Sequence, residues 1–442
     1  MNWFETLIAP PDGVAETQTL ITTLDRCFVV GFANLGQAEW DALTQLERIL
    51  AGSPLAEAVT DSIAAIRSNA FVPSQFAALA AARVSLQGAM HDALLAQLHD
   101  ALDRPKSPAH PSPPITRITT PIHESVRHWL MEIALLGFAR LEVETVTPFL
   151  KTLETLQADP MCIQLAALLT GFVDELLRNV PIADQAAIPS YRWVDLWSQA
   201  MMVSFGSAEI PSAPASGMLE LFGMDLRQSA HVVSFVLHGV LESAENNRHV
   251  RITQTAYKVD AIRGDELWLL FPHCAKLLTA FSATKRLSID DLPLLTTGDL
   301  IWDDGKATLG KKFKQMARAD HFFAPSASAV EPAWTPPLTR HPIQLAAPIC
   351  LDRLRDDNLI WDALRIDPAT GFDKATLENG SKAFGLLRYD AGKWVFQPLT
   401  AATGSGTATS FIGKPAGKLA SKPPKRSTVS MLQERASRLL RA

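Results

Sequence analysis

The first quarter of the chain carries apolar residues at the spacing of amphipathic helices. From residue 17 to residue 103 they recur every three or four positions, which is the period of one helix face. One stripe begins at Gln37 and ends before Gly52, a second follows Ser53 and Pro54, and a third starts near Ser74. Because such helices can bury one another's apolar faces, we predict a helical bundle over residues 1–103.

A proline-rich segment follows the predicted bundle. Six prolines lie between Pro105 and Pro121. Proline removes backbone donors and favours extended geometry, so residues 104–121 are predicted to form a semi-rigid linker. A loop pinned to a domain surface would have the same composition, and this alternative stays open.

Helical spacing resumes at His123 and continues through Leu177, and another helix is predicted from Trp193 to Phe205. The Pro/Ser/Gly-containing piece at 210–217 is predicted to be irregular. These observations predict a second helical domain over residues 122–227.

The pattern becomes strand-like after Gln228. Runs rich in β-branched and aromatic residues occupy 231–241, 249–259 and 265–271, with turn residues between them. Two hairpins are predicted, one joining 300–302 to 307–313 and one joining 384–389 to 393–397. We therefore predict an α+β fold with a β-rich domain at 228–325 and a second β-rich unit at 326–399, each barrel-like or sandwich-like.

A short tetrapeptide occurs twice in the predicted β-rich part. Residues 300–303 and 359–362 both read Leu-Ile-Trp-Asp. About one coincidence of this length is expected in a chain of this size, so we do not infer a duplicated β unit from it.

The last segment of the chain, residues 400–442, is basic. It holds eight Lys and Arg residues and one Glu, a net charge of +7, whereas the whole chain has −5 and the preceding body therefore −12. Ser430 and Gln433 can form a capping box, and Leu432, Leu439 and Leu440 share one helix face with Ala436. We predict a flexible tail that ends in a short amphipathic helix, which should form fully only against a partner.

Composition limits the class of protein. The chain is 47% hydrophobic and 20% charged, which excludes disorder as its main state. The cysteines at 27, 162, 274 and 350 lie far apart in apolar stretches and are predicted to be buried free thiols of a reducing compartment. No N-terminal signal peptide and no uncharged apolar run long enough to span a membrane is recognised, so a cytoplasmic location is predicted.

Motifs for catalysis or metal binding are weak. His123 and His128 stand five apart, so on a helix they diverge by about 140° and cannot share a zinc ion. His273 and Cys274 are neighbours on a predicted strand and would point to opposite faces, as would His231 and His238, seven positions apart.

Phosphate-binding and acidic motifs are equally weak. Gly413-Lys414 lacks the remaining residues of a phosphate-binding loop. The pairs Asp303/Asp304 and Asp356/Asp357 could bind a metal, but both lie in predicted turns, where paired aspartates are ordinary. The sequence therefore predicts no cofactor and no catalytic residue.

Four tryptophans fall in predicted strands, at positions 268, 302, 361 and 394. Aromatic strands can form a nucleic-acid platform, but the neighbouring residues here are mostly acidic. Packing in the core is therefore the preferred interpretation.

The order of helical and strand-like runs along the chain resembles that of a known family. The helical runs are 127–141 and 162–177, and the strand-like runs that follow them are 231–242 and 250–271. The region 122–399 resembles the part outside the zinc motif in bacterial SWIM zinc-finger family proteins, which are associated with MoxR-type AAA ATPases and von Willebrand A-domain proteins. The zinc motif itself is absent, because no two cysteines lie close together. The resemblance implies an accessory or adaptor subunit that works near such an ATPase.

The function predicted from these observations is that of a non-enzymatic accessory or scaffold protein, an adaptor that binds a protein partner through its tail. Two alternatives stay open: a hydrolase or metal-dependent enzyme with a site assembled from distant residues, and nucleic-acid binding through the tail. The predicted partner-binding residues are Lys414, Lys418, Lys422, Lys425, Arg426, Leu432, Arg435, Leu439 and Leu440.

Overall fold

The computed structural model describes residues 3–104, 115–118, 120–208, 210–228, 232–327, 330–335, 345–352, 365–366, 380–390, 392–403, 408–409, 416–418, 422, 424 and 426–439. Several residues singled out in the sequence lie outside these ranges: most of the proline-rich segment, His231, Asp356, Asp357, Trp361, Lys414, Lys425 and Leu440.

The chain begins with a helical unit. Within residues 3–104 its α-helices are α1 (Val14–Val30), α2 (Gln37–Leu50), α3 (Ala56–Arg67) and α4 (Pro73–Ala101). The three predicted apolar stripes lie, in chain order, on α2, α3 and α4. The second helix begins at Ala56, two residues later than predicted, because Ser53 Oγ accepts from the N–H of Leu55 and Pro54 precedes the helix.

A second helical unit follows in residues 120–208. It contains α5 (Pro121–Leu136), α6 (Val143–Val146), α7 (Leu150–Ala158), α8 (Ile163–Asn179) and α9 (Ser190–Phe205). Two short strands, β1 (Ile115–Arg117) and β2 (Gly206–Ala208), pair antiparallel at its ends.

The two helical units share a local motif that the sequence interpretation missed. Both α1 and α5 end at a glycine that is followed by Phe-Ala-x-Leu, at residues 31–35 and 137–141. Gly31 and Gly137 both have φ near +90° and lie against each other, since a Cβ on Gly137 would clash with the backbone nitrogen of Gly31. Each of these glycines is followed by a 3₁₀ turn, Phe32–Asn34 after Gly31 and Phe138–Arg140 after Gly137, so the two helical units share this local arrangement where they touch.

The third part contains an open, antiparallel five-stranded sheet in the order β5-β4-β3-β6-β7. Its strands are β3 (Ser212–Gln228), β4 (Val232–Glu242), β5 (Asn247–Tyr257), β6 (Lys285–Leu295) and β7 (Ala307–Lys312). The helix α10 (Ala275–Ser282) precedes β6, and α11 (Gln315–Phe323) follows β7.

A second open sheet has the order β12-β11-β10-β8, and β9 pairs parallel with β11. Its strands are β8 (Leu345–Asp352), β9 (Arg365–Ile366), β10 (Gly380–Asp390), β11 (Lys393–Thr403) and β12 (Ala408–Thr409). The predicted hairpin of 384–389 with 393–397 is confirmed, because β10 and β11 pair antiparallel with Asp390 opposite Lys393.

Three apolar clusters place these parts in layers. The helical units form one core together with one face of the second sheet, including Leu345, Leu387 and Phe396. The opposite face of that sheet meets the first sheet and α11 around Phe222 and Phe384. Gln397 Nε2 donates to Asp225 Oδ1 across this interface at 2.8 Å. The outer face of the first sheet packs against α10 in the third cluster. The α+β prediction is therefore confirmed, and the two open sheets pack face to face.

Three local predictions were wrong. Residues 265–271 form a 3₁₀ helix (Gly264–Leu270) rather than a strand, because consecutive residues Leu267 and Trp268 both pack into the same core. The supposedly irregular piece at 210–217 belongs largely to β3, whose partner β6 supplies the pairing.

The predicted hairpin of 300–302 with 307–313 was the third wrong prediction. β7 pairs with β6 instead, and Leu300 forms an isolated bridge with Leu294. The intervening residues Asp304–Lys306 form a 3₁₀ turn. Among the described residues, every helix is too short or too polar to cross a lipid bilayer.

Candidate functional site

The C-terminal segment rests on the body of the protein. Its helix α12 (Thr428–Leu439) lies beside the 3₁₀ helix Gly264–Leu270, and the N–H of Thr428 donates to Glu266 Oε1 at 3.1 Å. Val429 is buried and Leu432 is partly buried against the core of the first sheet. Part of the predicted apolar face therefore packs on the chain's own surface.

The residues before α12 are anchored to the same core. Ala416 is fully buried in it. Gly417 passes so close to α10 that a Cβ there would lie 2.9 Å from Leu278 O. A larger residue at position 417 would push this part of the segment away from α10.

The four basic side chains of the segment whose exposure the structure describes lie outward. Of the predicted partner-binding residues, Lys418, Lys422, Arg426 and Arg435 are exposed, and Leu439 lies in the last turn of α12. Met431 is also exposed, at 52%. The structure thus separates the predicted site into an inward apolar part and an outward basic part.

The cap of α12 lies three residues earlier than predicted. Ser427, rather than Ser430, is the capping residue, because Ser427 Oγ accepts from the N–H of Ser430 at 3.0 Å. In return, Ser430 Oγ accepts from the N–H of Ser427 at 2.9 Å. This reciprocal pair satisfies two donors that a helix N-terminus would otherwise leave open.

A buried ion cluster joins three helices of the two helical units. Arg83 on α4 donates from Nε and Nη2 to Asp25 on α1, at 2.7 and 3.0 Å. It donates from Nη1 to Asp195 on α9 at 3.1 Å and from Nη2 to the carbonyl of Tyr191 at 3.2 Å. Gln87 and Gln199 also donate to Asp195.

The charges of this cluster are held away from water. Burial raises the pKa of Asp25 to about 6, even though the charge of Arg83 acts in the opposite direction. Burial also lowers the pKa of Arg83, but its interactions with Asp25 outweigh this effect and raise the value. The cluster places two carboxylates together, as the enzyme alternative requires, yet both are only 1% exposed. We assign it to the packing of the helices.

A second polar cluster covers the inner face of the first sheet. Glu220 is fully buried and accepts from Arg286 Nε at 2.7 Å and from Arg318 Nε at 2.8 Å. Arg318 also pairs with Glu242. Because Arg318 belongs to α11, these ion pairs fix that helix across β3 and β4.

His238 and His249 form a buried pair near this cluster. Their Nδ1 and Nε2 atoms are 3.2 Å apart, and the His249 ring packs edge-on against Phe323. Burial lowers the pKa of His238 to about 4 and lowers that of His249 as well. Both imidazoles are therefore neutral at pH 7 and act as packed polar groups.

One cysteine lies next to a histidine. The atoms Cys162 Sγ and His123 Nε2 are 4.0 Å apart, and the thiol donates to Asp159 Oδ2 at 3.4 Å. Burial and the Asp159 hydrogen bond raise the pKa of Cys162, and burial with the charge of Arg127 lowers that of His123. A reactive cysteine needs a lowered pKa, so this pair lacks the electrostatics of a nucleophile.

The other candidates from the sequence have structural partners. His123 is buried and His128 exposed, so they diverge as predicted. Asp304 caps α10 by accepting from the N–H of Lys276 at 2.8 Å. His273 contacts Gln254 instead of its neighbour Cys274.

The cysteines and tryptophans pack as predicted where the structure describes them. All four cysteines are free and buried. Trp268, Trp302 and Trp394 are buried, although only Trp394 lies in a strand.

Two further observations concern ligands. Among the described residues, no group of three or more His, Cys, Asp or Glu side chains is arranged to hold a metal ion. A surface depression of about 490 Å³ lies between α2 and α3 and is lined by Glu47, Arg48, Glu57 and Asp61 among others.

Comparisons with known proteins found no matching family model, no matching curated protein and no matching solved structure. The resemblance to the SWIM-associated proteins therefore stays a prediction.

Proposed function

We propose that this protein is a non-enzymatic accessory or scaffold protein that binds an acidic protein partner through its C-terminal segment. One observation carries the proposal: α12 packs on the body through Val429 and Leu432, while Arg426 and Arg435 are exposed. The partner then contacts the outward basic part, and the inward apolar part keeps the helix in place.

The docked helix lowers the entropic cost of binding. A helix of 12 residues is marginal in water when isolated. Held against the core by Val429, Leu432 and the Thr428–Glu266 hydrogen bond, it is already ordered before a partner arrives. Binding energy is then not spent on folding the segment.

The charge distribution supports an acidic partner. The segment after residue 399 carries +7 and the remainder of the chain −12, so the segment is the strongly basic part of an acidic protein. Complementary charge accelerates association and makes it sensitive to salt. An acidic surface on the partner is therefore the chemistry that this segment selects.

The resemblance of residues 122–399 makes a MoxR-type AAA ATPase, or a von Willebrand A-domain protein associated with it, the first partner to test. In this proposal the protein is a bacterial, cytoplasmic adaptor of such an ATPase. The layered body provides the rigid support, and the C-terminal segment provides the contact.

The test compares three forms of the full-length protein in capture experiments from nuclease-treated native lysate. They are the wild type, the charge-reversed Arg426→Glu/Arg435→Glu, and Lys151→Glu/Lys393→Glu as a control. The control has the same change in charge at exposed sites on α7 and β11. A captured protein is then purified and titrated against each form at two salt concentrations.

We expect wild type and control to bind the same partner with equal affinity, and Arg426→Glu/Arg435→Glu to bind it at least about tenfold more weakly. Equal affinity of all three forms for every captured protein would contradict the proposal. A partner that is captured only from a parallel lysate without nuclease treatment would instead support nucleic-acid binding through the tail.

A further inference from the structure

The two edge strands of the first sheet are covered differently. Along β5, the N–H of His249 donates to Glu331 O and the N–H of Arg251 donates to Gly298 O, at 2.9 Å each. Segments of the same chain therefore extend the sheet at this edge. β7 forms the opposite edge and pairs with β6 on one side. In the part of the chain that the structure describes, no strand or bridge lies on its other side.

The covered edge pairs basic side chains with carboxylates. Arg251 donates to both oxygens of Asp299, at 3.0 and 2.7 Å. Arg248 Nε lies 3.8 Å from Glu331 Oε1. Asp299 and Glu331 are also the residues that form the parallel bridges with Arg251 and Arg248. Each segment added to β5 thus brings one carboxylate to one arginine.

The β7 edge carries basic side chains without such carboxylates. Lys311 and Lys312 at the end of the strand and Lys314 just after it are exposed, and Lys285 of β6 lies directly opposite Lys312. None of these four lysines forms an ion pair with another described residue. Like charges directly opposite each other in a ladder are unfavourable, so this edge has an excess of positive charge that the fold leaves uncompensated.

We propose that β7 is the docking edge for an acidic, extended segment of a protein partner, which adds to the first sheet as a further strand beside Ala307–Lys312. Its backbone would pair with the outward N–H and C=O groups of β7, and carboxylates at consecutive positions, one on each face of the sheet, would meet Lys311 and Lys312. Leu309, which is 37% exposed, precedes these lysines in β7 and offers an apolar contact. The arrangement repeats at β7 what the chain itself builds at β5.

A peptide fits this edge better than a nucleic acid. A phosphate backbone would compensate the lysine charges but has no groups in register with the outward hydrogen-bonding groups of an edge strand. An extended acidic peptide compensates the lysine charges and also pairs with the hydrogen-bonding groups of the edge strand. This site does not depend on the C-terminal segment, so the two proposals can fail separately.

The test measures binding of labelled probes to the full-length protein by fluorescence anisotropy. The first probe is a ten-residue peptide with blocked ends in which pairs of threonines alternate with pairs of glutamates, so that each face of the extended peptide carries carboxylates. The second replaces the threonines by proline, which keeps the charge but removes N–H groups needed for a ladder. The third is a short DNA duplex of mixed sequence.

Four forms of the protein are compared with the wild type. Lys311→Glu/Lys312→Glu reverses the charge of the proposed site, and Lys311→Gln/Lys312→Gln neutralises it without adding negative charge. Lys151→Glu/Lys393→Glu is the control of equal charge change, and Arg426→Glu/Arg435→Glu tests for binding to the C-terminal segment instead. Thermal melting establishes that each form is folded.

We expect the threonine–glutamate peptide to bind wild type and Lys151→Glu/Lys393→Glu equally, and both variants of Lys311 and Lys312 at least about tenfold more weakly. The proline peptide and the duplex should bind wild type at least about tenfold more weakly than this peptide does. Absence of peptide binding, equal binding of the proline peptide or the duplex, or unchanged binding after substitution of Lys311 and Lys312 would overturn the proposal.

Discussion

Replacing Arg83 by methionine tests how the helical units are held together. The Arg83 side chain is 2% exposed and donates four hydrogen bonds, two to Asp25, one to Asp195 and one to the carbonyl of Tyr191. Methionine fills a similar space without a charge or a donor. Arg83→Met would therefore leave two buried carboxylates without their shared cation.

Loss of one partner from a buried ion pair costs about 3–5 kcal/mol, because the remaining charge stays desolvated. Gln87 and Gln199 continue to donate to Asp195, so most of this cost falls on Asp25. We expect the free energy of unfolding at pH 7 to fall by about 3–5 kcal/mol in urea titrations. Amide hydrogen exchange should accelerate most in α1, α4 and α9, which the cluster joins.

The matched variant is Arg83→Met combined with Asp25→Asn. This double variant removes the buried charge of Asp25 that has lost its partner, and we expect it to recover at least about 1 kcal/mol of the lost free energy of unfolding. The reasoning fails if Arg83→Met lowers the free energy of unfolding by less than about 1 kcal/mol. It also fails if exchange accelerates equally in the sheets.

Three further predictions concern single sites. Burial holds the pKa of Asp25 at about 6 in the folded protein against an ordinary value of 3.8. The folded state therefore binds this proton more tightly than the unfolded chain does. The resulting stabilisation, roughly 3 kcal/mol, is present below pH 4 and is lost as the pH rises through about 6. Asp25→Asn should make the melting temperature less dependent on pH in this window, and an unchanged slope of melting temperature against pH would contradict the assignment. Gly31→Ala should destabilise by at least about 2 kcal/mol in thermal melts, because φ is +90° and Leu135 O lies 2.5 Å from the new Cβ, whereas Gly52→Ala, with open space around it, should change stability by less than about 0.5 kcal/mol. Val429→Asp should release α12 from the body, seen as faster proteolysis and hydrogen exchange within residues 428–439; unchanged protection would show that this contact does not hold the helix.

Elements with a complete local pattern could be predicted from the sequence. The stripe from Trp40 to Leu50 corresponds to α2, and its core positions Leu43 and Leu46 are buried. The hairpin of β10 and β11 also had its own signal, two apolar runs separated by a short Asp-Ala-Gly turn. In both cases the residues that pattern the element lie within the element.

Elements that depend on distant partners could not be predicted in this way. The start of β3 contains Pro214 and few β-branched residues, and it is extended because β6 pairs with it, with Pro214 opposite Pro293. The run at Gly264–Leu270 has strand-like composition. However, two adjacent residues within it, Leu267 and Trp268, pack into the same core, which favours a helical turn. Tertiary packing decides both segments.

The buried clusters show the same limit. Asp25 and Asp195 lie 58 and 112 residues from Arg83, so no local pattern links them. The Gly-Phe-Ala-x-Leu motif occurs at both Gly31 and Gly137, but only the fold shows that its two copies lie in contact. The C-terminal helix was predicted from its own pattern, but its resting place beside Glu266 required the fold.

Site-specific photo-crosslinking in cells tests the central claim most directly. A photoreactive amino acid is placed at Arg435, on the outward side of α12, or at Val429, on its packed side. The account predicts that the probe at position 435 crosslinks a second protein and that the probe at 429 crosslinks within the chain to Gly264–Leu270. A probe at 429 that captures the partner, or a probe at 435 that captures no other protein, would contradict it.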